Sequence, residues 1–143
     1  MMLSLSRFKD FYLNFIMNSL LRYSILPLIL GLLIFILTCL ISSDNIPGMP
    51  EGLQWDKIAH FGMFFSLSAV IMYDYYKMHN KAPSRSRWIF WGLIVPVFYG
   101  GLIELLQKHF FASRSAEWGD WIADIAGSLI ATLLALIILK KKR

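Results

Sequence analysis

Five residues in this sequence have the types and spacings that acid–base chemistry requires. Asp56 and His60 are four residues apart, so they share one face of a helix. Asp120 and Asp124 repeat that spacing, and Glu104 interrupts an apolar stretch. A carboxylate beside an imidazole fixes the histidine tautomer and raises its basicity. We therefore predict His60, supported by Asp56, as a general base and Glu104 as a general acid.

Other polar residues near these candidates are of the types that bind charged ligands. Gln107 follows Glu104 on the same helix face, and Lys57 and Arg114 supply positive charge. Ammonium and guanidinium groups bind phosphate and carboxylate groups through charge-assisted hydrogen bonds. The predicted substrate-binding residues are Lys57, Gln107, Arg114, Asp120 and Asp124.

Two simpler interpretations of the same residues stay open. Acids and bases of these types also form ion pairs that hold a helical bundle together, with Asp56 as the acid in a first helical turn. A divalent metal held by His60 and the carboxylates is the other interpretation, but the sequence lacks the tight spacing of a metal-binding motif. We therefore predict no metal and no other cofactor.

Four apolar segments of membrane length must position these residues. The predicted spans are residues 23–41, 56–76, 88–107 and 120–139. The first contains no charged side chain, and about 20 apolar residues cross the hydrocarbon core. Hydrophobic residues make up 57% of the chain, which favours a bilayer over a water-soluble core.

The predicted fold is all-α, a polytopic bundle of four transmembrane helices preceded by an N-terminal interfacial helix. Residues 1–22 form an amphipathic cytoplasmic or interfacial segment, because apolar and polar side chains alternate there at helical spacing. An arm without fixed structure is the alternative for this segment. Residues 23–139 form the membrane domain, and residues 140–143 are a basic cytoplasmic tail.

Small residues and proline predict how the last two spans are shaped and packed. Pro96 and the pair Gly100-Gly101 predict a kink in the outer half of the third span. Small residues recur every four positions in the fourth span, at Ala123, Gly127, Ala131 and Ala135. Such a ridge permits close approach of a neighbouring helix in lipid. Space for a ligand at Gly127 is the less favoured interpretation.

The distribution of charge predicts the orientation of the bundle. With both termini on one side, 11 of the 14 basic residues lie on that side: Arg7, Lys9, Arg22, Lys77, Lys81, Arg85, Arg87, Lys140, Lys141, Lys142 and Arg143. The other side holds three bases but seven of the nine acids: Asp44, Glu51, Asp56, Glu104, Glu117, Asp120 and Asp124. A lysine and arginine bias of this kind places the N- and C-termini in the cytoplasm. The candidate residues then lie at the outer ends of the helices.

Composition excludes several other classes of protein. The net charge of +5 comes from short loops and a terminal cluster beside helix ends, which indicates topology and anionic lipid rather than nucleic acid. Cys39 is the single cysteine, so no internal disulfide forms. The first apolar segment lacks the features of a cleaved secretory signal. The expected partner is therefore the lipid bilayer and not nucleic acid, and the oligomeric state stays open.

The order of the polar motifs resembles the VanZ-like membrane family, named for a protein associated with teicoplanin resistance. The matching blocks are Asp56-Lys57-x-x-His60-Phe61, Glu104-x-x-Gln107, Arg114 and Asp120-x-x-x-Asp124-x-x-Gly127. The resemblance covers about residues 50–139 and implies a four-helix bacterial membrane protein in which these positions form a shared site. The family commonly has asparagine at the position of Asp124, so this chain carries an extra acid there.

Three functions fit these observations. In the first, an outer-face site acts on an anionic lipid or a lipid-linked precursor of the cell envelope, and the resemblance adds a link to glycopeptide resistance. The second is a non-catalytic module that binds an envelope lipid or an antibiotic. The third is a proton-coupled carrier, although only Asp74 approaches from the inner side. Whether the protein is an enzyme stays open, as does a purely structural role.

Overall fold

The structure, a computed structural model, describes residues 2–40, 54–111 and 117–139, with backbone alone for residues 2–16 and 19. Helix α1 runs Met2–Phe35 and continues into a π-helical turn, Ile36–Leu40. Helix α2 runs Trp55–Met78. Helix α3 is Arg85–Ile89, and a π-helical segment, Phe90–Ile94, joins it to α4, Val95–Phe110. Helix α5 runs Trp118–Ile138.

Three stretches of the described chain are long and apolar enough to cross a membrane. They are Leu20–Leu40, Arg85–Phe110 and Trp118–Ile138. The prediction of an all-α, multi-pass membrane protein is therefore confirmed. The remaining predicted span coincides with α2, whose 24 residues form one uninterrupted helix, and its crossing of the bilayer stays a prediction. The predicted boundary between residues 22 and 23 falls within α1, where the helix is continuous.

Two hydrogen bonds between α1 and α4, which are far apart in the sequence, show that these helices run in the same direction. The Tyr99 hydroxyl donates to the Gly31 carbonyl at 2.7 Å. Further along both helices, Gln107 Nε2 donates to the Thr38 carbonyl at 2.8 Å. The last turns of α1 and α4 consequently lie at the same end of the bundle.

Helix α5 runs antiparallel to α4 and parallel to α2. Gly92, before α4, lies beside Thr132 near the end of α5, whereas Gly100 lies beside Asp124 near its start. Gly127 contacts the backbone of Phe61 in α2. The first turns of α2 and α5 therefore meet the last turns of α1 and α4. Acids and histidine that are far apart in sequence thereby reach one end of the bundle.

Helices α2 and α5 cross in closest contact at Gly127. A Cβ atom on Gly127 would overlap the Phe61 carbonyl oxygen and meet the Phe65 amide nitrogen, both of which are backbone atoms. Ala131 and Ala135, further along the same face, are also buried. The predicted small-residue ridge thus faces α2, and Gly127 provides room for a helix rather than for a ligand.

The π-helical segment before Pro96 is stabilised by a side chain of α5. Proline has no N–H, so the carbonyl four residues earlier, that of Gly92, loses its usual helical donor. The Thr132 hydroxyl donates to this carbonyl at 3.2 Å. The departure from α-helix thus lies at residues 90–94, whereas the kink was predicted in the outer half, around Pro96 and Gly100-Gly101. Both glycines of that pair lie within α4, which is α-helical from Val95 onwards.

The interior is small, and most large apolar side chains point outward. Ile34, Phe64 and Ile103 are buried in one core cluster. By contrast, many aliphatic and aromatic side chains on α1, α4 and α5 are exposed, including Leu28, Phe98 and Ile137. An apolar exterior around a compact interior is the arrangement expected in lipid, where the solvent is itself apolar.

The two ends of the bundle differ in charge. The basic end is formed by the α2–α3 connection and its flanks, with Lys77, Lys81, Arg85 and Arg87. The opposite end, which we call the acidic end, contains the first turns of α2 and α5 and the last turns of α4. Four of the predicted site acids lie there: Asp56, Glu104, Asp120 and Asp124.

Candidate functional site

His60 and Asp124 form a buried pair between α2 and α5. His60 Nδ1 lies 2.9 Å from Asp124 Oδ1, and their side chains are 2% and 0% exposed. The residue that orients the imidazole is therefore Asp124, whereas the spacing of the sequence assigned this role to Asp56. The close crossing at Gly127, which follows Asp124 by one helical turn in α5, brings α2 and α5 near enough for this hydrogen bond.

Helix α4 approaches Asp124 through Gly100. A Cβ atom at Gly100 would lie 2.5 Å from Asp124 Oδ2. A larger residue at this position would therefore force the Asp124 carboxylate to shift. Oδ2 is buried and has no hydrogen-bond partner among the described residues. One oxygen of Asp124 therefore binds the histidine, and the other faces α4 with no donor in the part of the chain that the structure describes.

Glu104 lies one turn further along α4 and connects it to the start of α5. Its Oε2 atom accepts a hydrogen bond from the Glu117 backbone N–H at 3.0 Å. Its Oε1 atom is buried and has no hydrogen-bond partner in the described part of the chain. Glu117 is the residue that precedes α5, so Glu104 helps to fix the position of the α5 N-terminus.

Lys57 lies at the rim of this group of acids. Its Nζ atom is 3.0 Å from Glu117 Oε2 and 3.6 Å from Asp120 Oδ1. The lysine stem crosses Gly119, where a Cβ atom would overlap it. The lysine charge is therefore already engaged by two carboxylates of this chain.

Gln107 connects α4 to the end of α1. Its Nε2 donates to the Thr38 carbonyl in the π-helical turn of α1. Its side chain is buried, and Oε1 has no hydrogen-bond partner among the described atoms. One N–H of the amide nitrogen therefore serves the contact between helices, and the amide oxygen is available to a ligand.

We call the residues at this end the polar cluster: Asp56, Lys57, His60, Glu104, Gln107, Glu117, Asp120 and Asp124. Two sets within it have ligand-type atoms that all lie within 4.8 Å of one another. One set is Asp56, His60 and Asp120, and the other is His60, Glu104 and Asp124. The polar cluster thus brings together three helices at one histidine.

Helix geometry helps to hold these acids in place. Asp56 lies in the first turn of α2 and Asp120 in the first turn of α5. The N-terminus of a helix carries partial positive charge from its unpaired N–H groups. Two such termini meet at the acidic end, so the backbone itself favours carboxylates there.

Of the eight predicted site residues, the structure brings seven to the acidic end: His60, Asp56, Glu104, Lys57, Gln107, Asp120 and Asp124. The eighth, Arg114, lies outside the described residues. Sequence reasoning missed Glu117 and Gly100 as parts of this site. Glu117 was visible as an outer acid just before the last helix, but Gly100 gave no signal beyond its place in a Gly-Gly pair.

A line of buried hydroxyl groups continues inward from the polar cluster along α5. Ser128 and Thr132 follow Asp124 at four-residue spacing and are buried, as is Ser68 on α2. The spacing from Asp124 was a signal for this line in the sequence. Thr132 uses its hydroxyl to bind the Gly92 carbonyl, so the line ends in a contact that stabilises the bundle.

The geometry of the polar cluster suits binding of a ligand and transfer of a proton. A histidine held by a buried carboxylate is oriented for either task. Asp124 and Glu104, which each place a carboxylate oxygen within 4.8 Å of the imidazole, also each have a buried oxygen without a hydrogen-bond partner among the described residues. Comparison of this chain with protein-family models, curated proteins and solved structures returned no match.

Proposed function

We propose that this chain is an integral membrane protein of the bacterial cytoplasmic membrane that acts on an anionic or lipid-linked substrate of the cell envelope. In this proposal four helices cross the bilayer, both termini are cytoplasmic, and the polar cluster faces the outer leaflet. The motif order supports membership of the VanZ-like family, which links the protein to teicoplanin resistance as a further part of the proposal.

The observation that carries the proposal is the buried His60–Asp124 pair at one end of an apolar bundle. Ionisable side chains within membrane helices cost roughly 2.5–3.5 kcal/mol each on insertion scales and usually mark a functional site. Both members of this pair are almost fully buried. An ion pair that only holds helices together does not need carboxylate oxygens that lack a hydrogen-bond partner. Asp124 and Glu104 nevertheless each have one such oxygen among the described residues.

The proposed roles follow from the contacts. His60, oriented by Asp124, accepts a proton from an attacking hydroxyl group or water. Glu104 lies within reach of the same histidine and donates a proton to the leaving group. Both are acid–base roles, so hydrolysis and group transfer are equally compatible with them.

The polar cluster is acidic, which constrains how it binds an anionic head group. Lys57 is engaged by Glu117 and Asp120, so a phosphate at the rim must share this lysine with them. Arg114 is the other predicted cation, and its role stays a prediction. A head group therefore approaches the polar cluster from the rim, near Lys57, while its acyl chains lie among the exposed apolar side chains.

We expect Glu104→Gln to retain a specific lipid for longer than wild type, because the proposed proton donor to the leaving group is lost. The substitution keeps the shape of the side chain and removes its charge and its acidic proton. The measurement is native mass spectrometry of protein extracted from its own membrane, at matched helical content. Asp74→Asn is the matched control, because it removes a carboxylate from the other half of α2.

Three outcomes of this measurement are informative. A specific lipid or lipid-linked sugar present in wild type and in Asp74→Asn, but absent in Glu104→Gln, supports a ligand site. The same ligand retained for longer in Glu104→Gln indicates that wild type turns it over. Identical, non-selective lipid in all three proteins contradicts the proposal and leaves the polar cluster with a structural role.

A groove in the other half of the bundle favours a second candidate function, a non-catalytic module for binding lipid or antibiotic. The groove has a volume of about 930 Å³ and lies between α1, α2 and the α3–α4 region. Its lining is mostly apolar, with Gly31, Leu67 and Trp91 along its walls and His79 and Arg87 toward the basic end. Acyl chains fit such a groove. This function predicts that the bound lipid is retained unchanged and that no product forms.

We expect the basic end to be cytoplasmic, since lysine and arginine favour that side. The measurement is labelling of a single cysteine at residue 80, in the α2–α3 connection, in a Cys39→Ser background with intact cells. Membrane-impermeant reagent should label it only after the cells are opened, whereas a cysteine at residue 54, before α2, should react in intact cells. Labelling of both positions from the same side would exclude a crossing by α2.

A further inference from the structure

We propose that His60, Glu104 and Asp124 form a binding site for a divalent transition-metal ion. The inference rests on the proposed function, because it concerns the same polar cluster and states how an acidic site binds a phosphate-bearing substrate. In this arrangement the three side chains act as ligands, rather than His60 and Glu104 acting as the proton-transfer pair.

The three ligand groups come from three helices and already lie close together. One ligand-type atom from each lies within 4.8 Å of the other two. Bonds of ~2.0–2.2 Å place ligands on opposite sides of an ion at most ~4.4 Å apart. Ligand atoms within 4.8 Å of one another are therefore close to the separation that a bound ion requires.

Unpaired oxygen atoms are an independent indication of a cation. The Asp124 side chain is 0% exposed, and its Oδ2 atom has no hydrogen-bond partner among the described residues. The Oε1 atom of Glu104 is likewise buried and unpaired there. A buried carboxylate is costly unless donors or a cation meet its oxygens. Both atoms belong to the proposed ligands.

The charge of the polar cluster also indicates a bound cation. Five carboxyl groups lie in it, at Asp56, Glu104, Glu117, Asp120 and Asp124, but only one lysine and one histidine. Carboxylates in one site repel each other unless a cation or a proton intervenes. A phosphate group entering this site would meet the same repulsion. A divalent ion offsets the charge and attracts phosphate oxygens, and it also activates an attacking oxygen nucleophile.

The ligand types narrow the choice of metal. Imidazole favours zinc, iron, copper and nickel, whereas carboxylate oxygens also suit magnesium, calcium and manganese. One imidazole with two carboxylates therefore indicates Zn²⁺, Mn²⁺ or Fe²⁺. Gly100 gives Asp124 the space to turn its free oxygen toward α4, the helix that carries Glu104. The sequence has no short metal-binding motif here because the ligands are spread over three helices.

The test is metal binding by the full-length protein, purified in detergent with a tag that contains no histidine. The chelator-treated protein is titrated with Zn²⁺, with Mn²⁺, and with Co²⁺ as an optical probe. Inductively coupled plasma mass spectrometry then measures the metal retained after desalting. The variants are His60→Gln, Glu104→Gln and Asp124→Asn, each compared at matched helical content. His79→Gln is the control, since His79 directly follows α2 as its C-cap residue and bonds the Tyr75 carbonyl at the basic end.

We expect wild type and His79→Gln to bind one ion per chain. Each ligand variant should weaken metal binding by at least ~10–100-fold. Mutation of a residue that only hydrogen-bonds to a metal ligand already lowers metal affinity by that factor. Equal binding by wild type and all three ligand variants would overturn the proposal. Failure of wild type to bind Zn²⁺, Mn²⁺ or Co²⁺ would overturn it too.

The same samples separate this inference from the proposed function. Metal bound by wild type without any selective lipid would support the metal site and contradict action on a lipid. Selective lipid retained for longer in Glu104→Gln, with no metal in wild type, would support the proposed function and overturn the metal site.

Discussion

Replacing His60 with leucine is expected to destabilise the protein by roughly 3–5 kcal/mol, the usual cost of leaving a buried charge without its partner. The loss has a specific source. Asp124 is fully buried and its other oxygen has no partner among the described residues, so without His60 the carboxylate has no close partner in α2. The free energy of unfolding in mixed detergent micelles, measured with a chelator present, checks this value.

Two further variants show whether the loss of stability comes from the contact between His60 and Asp124. Asp124→Asn alone should cost much less, because the amide oxygen still accepts a hydrogen bond from His60. Adding Asp124→Asn to His60→Leu should restore much of the lost stability, since a neutral amide is cheaper to bury than a carboxylate. Additive effects of the two substitutions would show that His60 and Asp124 are not coupled.

The second large effect is expected at Gly127. Gly127→Ala should destabilise the bundle by about 1–3 kcal/mol, the usual cost of overpacking. The upper part of that range is expected because the atoms met by the new Cβ belong to the backbone of Phe61 and Phe65. A side chain can rotate away, but here α2 and α5 must separate. The measurement is again the free energy of unfolding in detergent.

Gly62→Ala is the matched control for this substitution. Gly62 lies on α2, near the same crossing, but a Cβ atom there meets nothing within 4 Å. Alanine should be neutral or stabilising by up to about 1 kcal/mol, because it is the better helix former. If Gly127→Ala is as stable as Gly62→Ala, α2 and α5 do not cross at Gly127. Since His60 and Asp124 lie one turn away, Gly127→Ala should also weaken any ligand binding by the polar cluster.

Much of the fold was predictable because lipid imposes simple rules on sequence. The span predicted over residues 56–76 corresponds to α2, Trp55–Met78, and the span over 120–139 corresponds to α5, Trp118–Ile138. Hydropathy and charge are properties of local sequence, so they define where helices begin and end. A departure from α-helix near Pro96 was predicted, but its place at Phe90–Ile94 and the Thr132 hydroxyl from another helix that bonds the Gly92 carbonyl were not.

The residues of the candidate site were also predictable, but their partners were not. Spacing placed Asp56 and His60 on one face of α2, and from this we predicted that Asp56 orients the imidazole. In the structure Asp124 does so, from a helix that begins 58 residues after His60. A shared helix face shows which side chains are neighbours within one helix. It does not show which neighbouring helix that face contacts.

The sequence by itself determined that the chain is helical and membrane-spanning and that its polar residues collect at helix ends, because these features follow from composition along short segments. Only the tertiary structure decided which acid meets His60, which glycine makes room for Asp124, and how far apart the ligand groups lie. The physical reason is that these contacts depend on where α2, α4 and α5 cross. The crossing point of α2 and α5 is set by the close approach of two backbones at Gly127.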